Sequence, residues 1–146
     1  MKTQVAGLTA VLFFFCASTQ DEVHAAGAQA KANTVEQSPF VCAVDVFTPA
    51  ERKRHFDVLG PALIAKRTAV AELPDGYELQ LPSDKETFQQ LAEYIDGERA
   101  CCPFFDIGVR VTSEHGPLSV RFTGRPGTKQ FIESDAKGWI APLAAR

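Results

Sequence analysis

Between Thr48 and Ile132 the apolar positions switch back and forth between a helical and a strand period. Phe56, Leu59, Leu63 and Ile64 recur at helical spacing behind Thr48-Pro49-Ala50-Glu51. That tetrapeptide is a helix start: Thr48 caps, Pro49 suits the first helical position, and Glu51 completes a capping box. Gly60-Pro61 interrupts the helix. Proline lacks a backbone donor and clashes with the preceding turn, so a kink or two short helices are expected there.

Thr68 to Leu73 and Tyr77 to Leu81 flank Pro74-Asp75-Gly76, a turn signal. Tyr77, Leu79 and Leu81 share one face, and Glu78 and Gln80 share the other. The pair reads as a hairpin with one polar face. Ser83-Asp84-Lys85-Glu86 is a second capping box. Phe88, Leu91, Ile95 and Cys102 then mark one stripe of a helix, and Glu98 falls on that stripe. Gly97 weakens this helix, and Pro103 disfavours helical geometry at Cys102, so the helix ends at the cysteine pair.

Phe105, Ile107, Val109 and Val111 alternate with polar or small residues. Leu118, Val120 and Phe122 do the same beyond the turn at Ser113-Glu114-His115-Gly116. This is a second half-buried hairpin. Gly124 to Gly127 leads into a last helix with Phe131 and Ile132. The order is helix-hairpin-helix-hairpin-helix. The expected fold class is α+β: a two-layer sandwich with a four-stranded, mainly antiparallel sheet and helices over its apolar face.

Outside this block the pattern changes. Val5 to Ala17 is an apolar run behind Lys2, and Val23-His24-Ala25 fits the small-x-small cleavage rule. The run is shorter than the ~20 residues of a spanning helix. Residues 1–25 therefore read as a cleavable export signal, with an uncleaved anchor as the alternative. Cys16 follows three phenylalanines, which disfavours lipidation. Residues 26–39 read as a flexible spacer. Residues 40–136 form the α+β domain, and residues 137–146 a tail with no clear element. Phe40 to Phe47 is a short apolar run, extended or a weak strand.

Composition adds limits. The net charge is −3 and no basic block occurs, so no nucleic-acid footprint is present. No stable membrane span is expected in the mature form, whose location is periplasmic or secreted. Cleavage would leave three cysteines, Cys42, Cys101 and Cys102, in an oxidising compartment. An odd count there implies a free thiol, an intermolecular bond or a ligand role.

The chemistry concentrates at Glu98-Arg99-Ala100-Cys101-Cys102-Pro103. Adjacent Cα atoms lie ~3.8 Å apart, below the roughly 4.4–6.8 Å of ordinary disulfides, so Cys101 and Cys102 do not form a relaxed bond with each other. The structural alternatives are a bond from either of them to Cys42, closing a loop of about 60 residues, and Cys102 as a small core residue. Thiolates select soft ions, so Cys42, Cys101, Cys102 and Glu98 form a candidate site for Zn, Cu or a metalloid. Thiol redox chemistry is a further reading. A helix C-terminus and a nearby carboxylate both oppose thiolate formation, which weakens that reading. Glu98 could equally pair with Arg110 or Arg121. His55 reads as a helix surface residue and His115 as a turn residue. Gly124 to Lys129 lacks the phosphate-loop spacing and reads as a turn and cap.

The Cys101-Cys102-Pro103-Phe104 core occurs with Cys42 before Thr48-Pro49-Ala50-Glu51, Leu73-Pro74-Asp75-Gly76-Tyr77, Gly116-Pro117-Leu118, Thr123-Gly124 and Gly127-Thr128-Lys129. In these motifs, from Cys42 to Ile132, the chain resembles small, largely uncharacterised bacterial proteins with a Cys-Cys-Pro-Phe motif. The resemblance implies no activity. The functional expectation is an exported protein that binds a soft metal or metalloid through clustered cysteines. The alternatives are a thiol-disulfide redox protein and a non-catalytic binding domain with a structural disulfide.

Overall fold

The computed structural model describes residues 37–143. The expected signal and most of the spacer lie outside the described residues. Thr48 caps α1 (Pro49–Lys53): its side chain accepts from the Glu51 amide while Glu51 returns a bond to the Thr48 amide. α1 runs into a π-helical segment (Arg54–Leu59) and then α2 (Gly60–Lys66). Instead of a kink, the break expected at Gly60-Pro61 is absorbed as one wide π turn, in which the Gly60 amide donates to the His55 carbonyl. Over eight residues a continuous α-helix drifts about 80°. The π turn offsets that drift, and His55, Leu59 and Leu63 line up on one buried face.

β1 (Ala69–Leu73) and β2 (Gly76–Leu81) form the first hairpin, and β3 (Phe105–Val111) and β4 (Leu118–Gly124) the second. The hairpins join through β2 and β4, giving one antiparallel sheet in the order β1-β2-β4-β3. Register places Tyr77 opposite Phe122, Leu79 opposite Val120 and Leu81 opposite Leu118, so both inner strands bury the same face. On β3 the alternation fades, because Val109 and Val111 are exposed towards the outer end. The fold is α+β with a four-stranded antiparallel open sheet.

α3 (Lys85–Cys101) starts on Asp84, whose side chain accepts from the Thr87 amide at 2.9 Å. Its buried face runs through Thr87, Leu91, Tyr94, Glu98 and Cys101. The stripe expected from periodicity also includes Leu91 and Glu98 but is rotated towards Phe88, which is 48% exposed. The difference arises because Tyr94 and Glu98 are buried against polar and aromatic partners on another helix, a choice that hydrophobicity alone does not rank. α4 (Thr128–Asp135) follows Gly127, whose φ of 107° favours glycine at that turn. Residues expected to be a featureless tail form α5 (Lys137–Ile140), and Trp139 packs on the main core. Arg67 ties that end down, donating to the carbonyls of Trp139 and Ala141.

Candidate functional site

The end of α3 sets the site. The Cys102 amide donates to the Glu98 carbonyl at 2.7 Å, and Pro103 stops the helix there. Cys101 and Cys102 are 0% and 1% exposed. Above them runs a strap, residues 37–47. It makes no strand. Two tight turns and a 3-10 turn (Val44–Val46) shape it instead. The Ala43 amide donates to the Cys101 carbonyl at 2.7 Å. Arg125 holds the near end, donating to Gln37 at 2.7 Å and to the Ser38 carbonyl, with its guanidinium 4.2 Å from the centre of the Phe40 ring. Arg52 holds the far end through the Val44 carbonyl at 2.8 Å.

The strap brings Cys42 to the pair. Cys42 and Cys102 are disulfide-bonded, with Cα atoms 4.7 Å apart. Cys101 is a free thiol, and its sulfur lies 3.5 Å from that of Cys102. All three sulfurs lie within 4.8 Å of one another. The three cysteines proposed from sequence therefore meet at one place, with two of the three sulfurs bonded together, and Glu98 joins them through Cys101 alone, within 4.8 Å.

Glu98 is 6% exposed and pairs with neither Arg110 nor Arg121. Arg121 pairs with Glu78. The partner of Glu98 is His55, whose Nε2 lies 3.2 Å from Oε1. The two groups share one hydrogen bond, whose direction follows the tautomer of the ring. His55 is 2% exposed rather than a surface residue. Its ring stacks on Tyr94, with centroids 4.3 Å apart, and Phe47 of the strap covers it at 5.1 Å. Gly97 makes room: a Cβ there would stand 2.5 Å from His55 Nδ1. His55, Glu98 and Cys101 also place one ligand atom each within 4.8 Å of one another.

Burial pushes the Cys101 thiol up to about 12, and the charge of Glu98 adds to the effect. Burial likewise holds the Tyr94 phenol well above its usual range, with Glu98 again contributing. Both groups keep their protons at neutral pH. The site has soft donors that need a cation, or a base, to ionise.

An aromatic cavity of about 460 Å³ borders the site. Phe56, Tyr77, Phe105, Phe122 and Trp139 contribute to its wall, and so do Cys42 and Glu98. Sequence reasoning missed His55. The one trace was Gly97, since a glycine inside a helix marks a close approach but names no partner.

Among the described residues, no helix is long and apolar enough to cross a membrane. No family model matches the chain, and neither a curated protein nor a solved structure matches it.

Proposed function

We propose that the reduced protein binds a soft metal or metalloid ion through Cys42, Cys101 and Cys102, with Glu98 completing or orienting the set. The observation that carries this is the gathering of three sulfurs within 4.8 Å of one another from segments 60 residues apart. Thiolates prefer Zn, Cu(I) and trivalent metalloids over hard cations. His55 fixes the Glu98 carboxylate on one side, as outer partners of ligand groups do.

The disulfide is the closed form of this site. Opening it takes two electrons and two protons. An external dithiol supplies both and leaves as its own disulfide, while Cys42 and Cys102 become thiols. The hydrogen bonds of Ala43, Arg52 and Arg125 do not depend on the S–S bond, and they keep the Cys42 sulfur near its partners. An arriving cation then displaces the thiol protons.

The test is native mass spectrometry with thiol counting, on reduced and oxidised protein, in the presence of Zn(II), Cd(II) or arsenite. The reduced form should retain one ion and the oxidised form far less. A Cys101→Ser/Cys102→Ser variant that held the ion as well as wild type would sink the proposal.

A second reading is thiol-disulfide exchange, favoured by a free thiol within 4.8 Å of both disulfide sulfurs. The Cys101 thiolate would attack the Cys42 sulfur, form a Cys42–Cys101 bond and release Cys102 as thiolate. The raised Cys101 thiol places this second. Peptide mapping of non-reduced protein after mild alkaline incubation tests it. A Cys42–Cys101 peptide supports exchange, and Cys42–Cys102 alone removes it.

We further infer that residues 1–25 direct export and are then removed, that the helices cover one face of the sheet as a two-layer sandwich, and that the chain is kin to the bacterial Cys-Cys-Pro-Phe proteins. N-terminal sequencing of protein secreted by a bacterial host tests the first.

A further inference from the structure

We propose that the cargo is an organic derivative of a soft ion, a metal or metalloid centre carrying one aryl or alkyl group, which the sulfurs hold while the aromatic cavity takes the organic part. This rests on the soft-ion reading and narrows it to a ligand class.

Four observations converge. The cavity, about 460 Å³, lies within the roughly 300–1,000 Å³ of small-molecule sites. Much of its wall is aromatic: Phe56, Tyr77, Phe105, Phe122 and Trp139. A bare hydrated ion gains nothing from such a wall, whereas an organic group does. Cys42 and Glu98 are part of the same wall, so a centre bonded to Cys42 sits at the cavity's edge. Cys42 and Cys102 already face each other at bonding distance. In the reduced state they offer two sulfurs to a centre whose remaining bond goes to carbon.

The chemistry balances for a monosubstituted trivalent arsenical, R–As(OH)₂. Two As–O bonds break and two As–S bonds form. The two thiol protons leave with the hydroxides as two waters, and arsenic keeps its oxidation state. Inorganic arsenite instead exchanges three hydroxides for three sulfurs and places no group in the cavity.

The probes are phenylarsine oxide, methylarsonous acid and arsenite. The full protein is first reduced by a trialkylphosphine, which takes up the oxygen of one water as phosphine oxide while the disulfide becomes two thiols. Affinities come from titration calorimetry or competition. The wild-type preference for phenyl over methyl should exceed that of a free small dithiol by roughly tenfold or more, because the cavity adds aryl burial to the same As–S chemistry. An equal preference overturns the proposal. Ala136→Leu, at a lining residue that packs on the main core and not on the cysteine cluster, should weaken phenylarsine oxide about tenfold and leave arsenite within about twofold. Equal effects on both probes also overturn it. If arsenite binds while phenyl shows no advantage, only this inference falls. If neither probe binds, the soft-ion reading falls with it.

Discussion

Gly97 shows how one missing methyl group can decide a site. Alanine is favoured over glycine in a helix by ~1 kcal/mol. Here its Cβ would stand 2.5 Å from the His55 ring, and overpacking of that kind costs about 1–3 kcal/mol. Gly97→Ala should therefore destabilise the wild-type protein, and the same change should become neutral or stabilising in a His55→Ala background. Urea denaturation of the four proteins checks this. A Gly97→Ala variant more stable than wild type would mean that the ring does not sit against α3.

Cys101 carries a pH signature. Its thiol moves from the ordinary value of about 9 up to about 12 in the folded chain. The folded state then holds a proton that the unfolded state has lost. The thiol's contribution to stability is intact below about 9 and disappears as pH rises towards about 12. Cys101→Ala should flatten the alkaline fall in stability without abolishing it, because the Tyr94 phenol is raised too and acts with the same sign. Denaturant midpoints across the alkaline range are the measurement. Slow alkylation of Cys101 in the native state would accompany the result.

At the scale of elements, the strap matters most. The Cys42–Cys102 bond closes a 60-residue loop, worth about 4 kcal/mol in the chain-entropy model. Reduction should lower the unfolding free energy by about that amount while circular dichroism of the native state barely changes, since helices and sheet make their own contacts. Loss of secondary structure on reduction would contradict the independence of the strap contacts. The hairpins and α3 were legible in the sequence because their signals are local: alternation in Tyr77–Leu81, and a turn at Pro74-Asp75-Gly76. The strap was not, because nothing within Phe40–Phe47 specifies a surface that only α3 and Arg125 provide. The π turn was half legible. Gly60-Pro61 marked a disturbance, but whether a helix breaks or widens depends on what its next face must bury.

At the scale of the whole molecule, the C-terminal end closes over the core through Arg67. That side chain is buried and donates to the Ile64, Trp139 and Ala141 carbonyls. Burial lowers its pKa. Arg67→Met keeps much of the packing and removes the donors, so the cost expected is about 1–3 kcal/mol, from carbonyls left unpaired. Protease cleavage between residues 137 and 143 should rise in parallel, read by mass spectrometry. Unchanged cleavage would mean that Trp139 holds the end by itself. The same scale explains which part of the site could be read in advance. Cys42, Cys101, Cys102 and Glu98 announce themselves by residue type. His55 became part of the site only through long-range packing, 43 residues from its partner.

Trp139 is the one tryptophan in the chain. It stands between Tyr94, at 5.0 Å, and Phe122, at 5.7 Å, on the wall of the aromatic cavity. The protein thus carries its own optical reporter. Energy absorbed by Tyr94 passes readily to an indole so near, and a heavy atom lodged alongside quenches the emission. Light emitted by the native chain, with no label attached, should dim as the cavity fills and brighten as it empties.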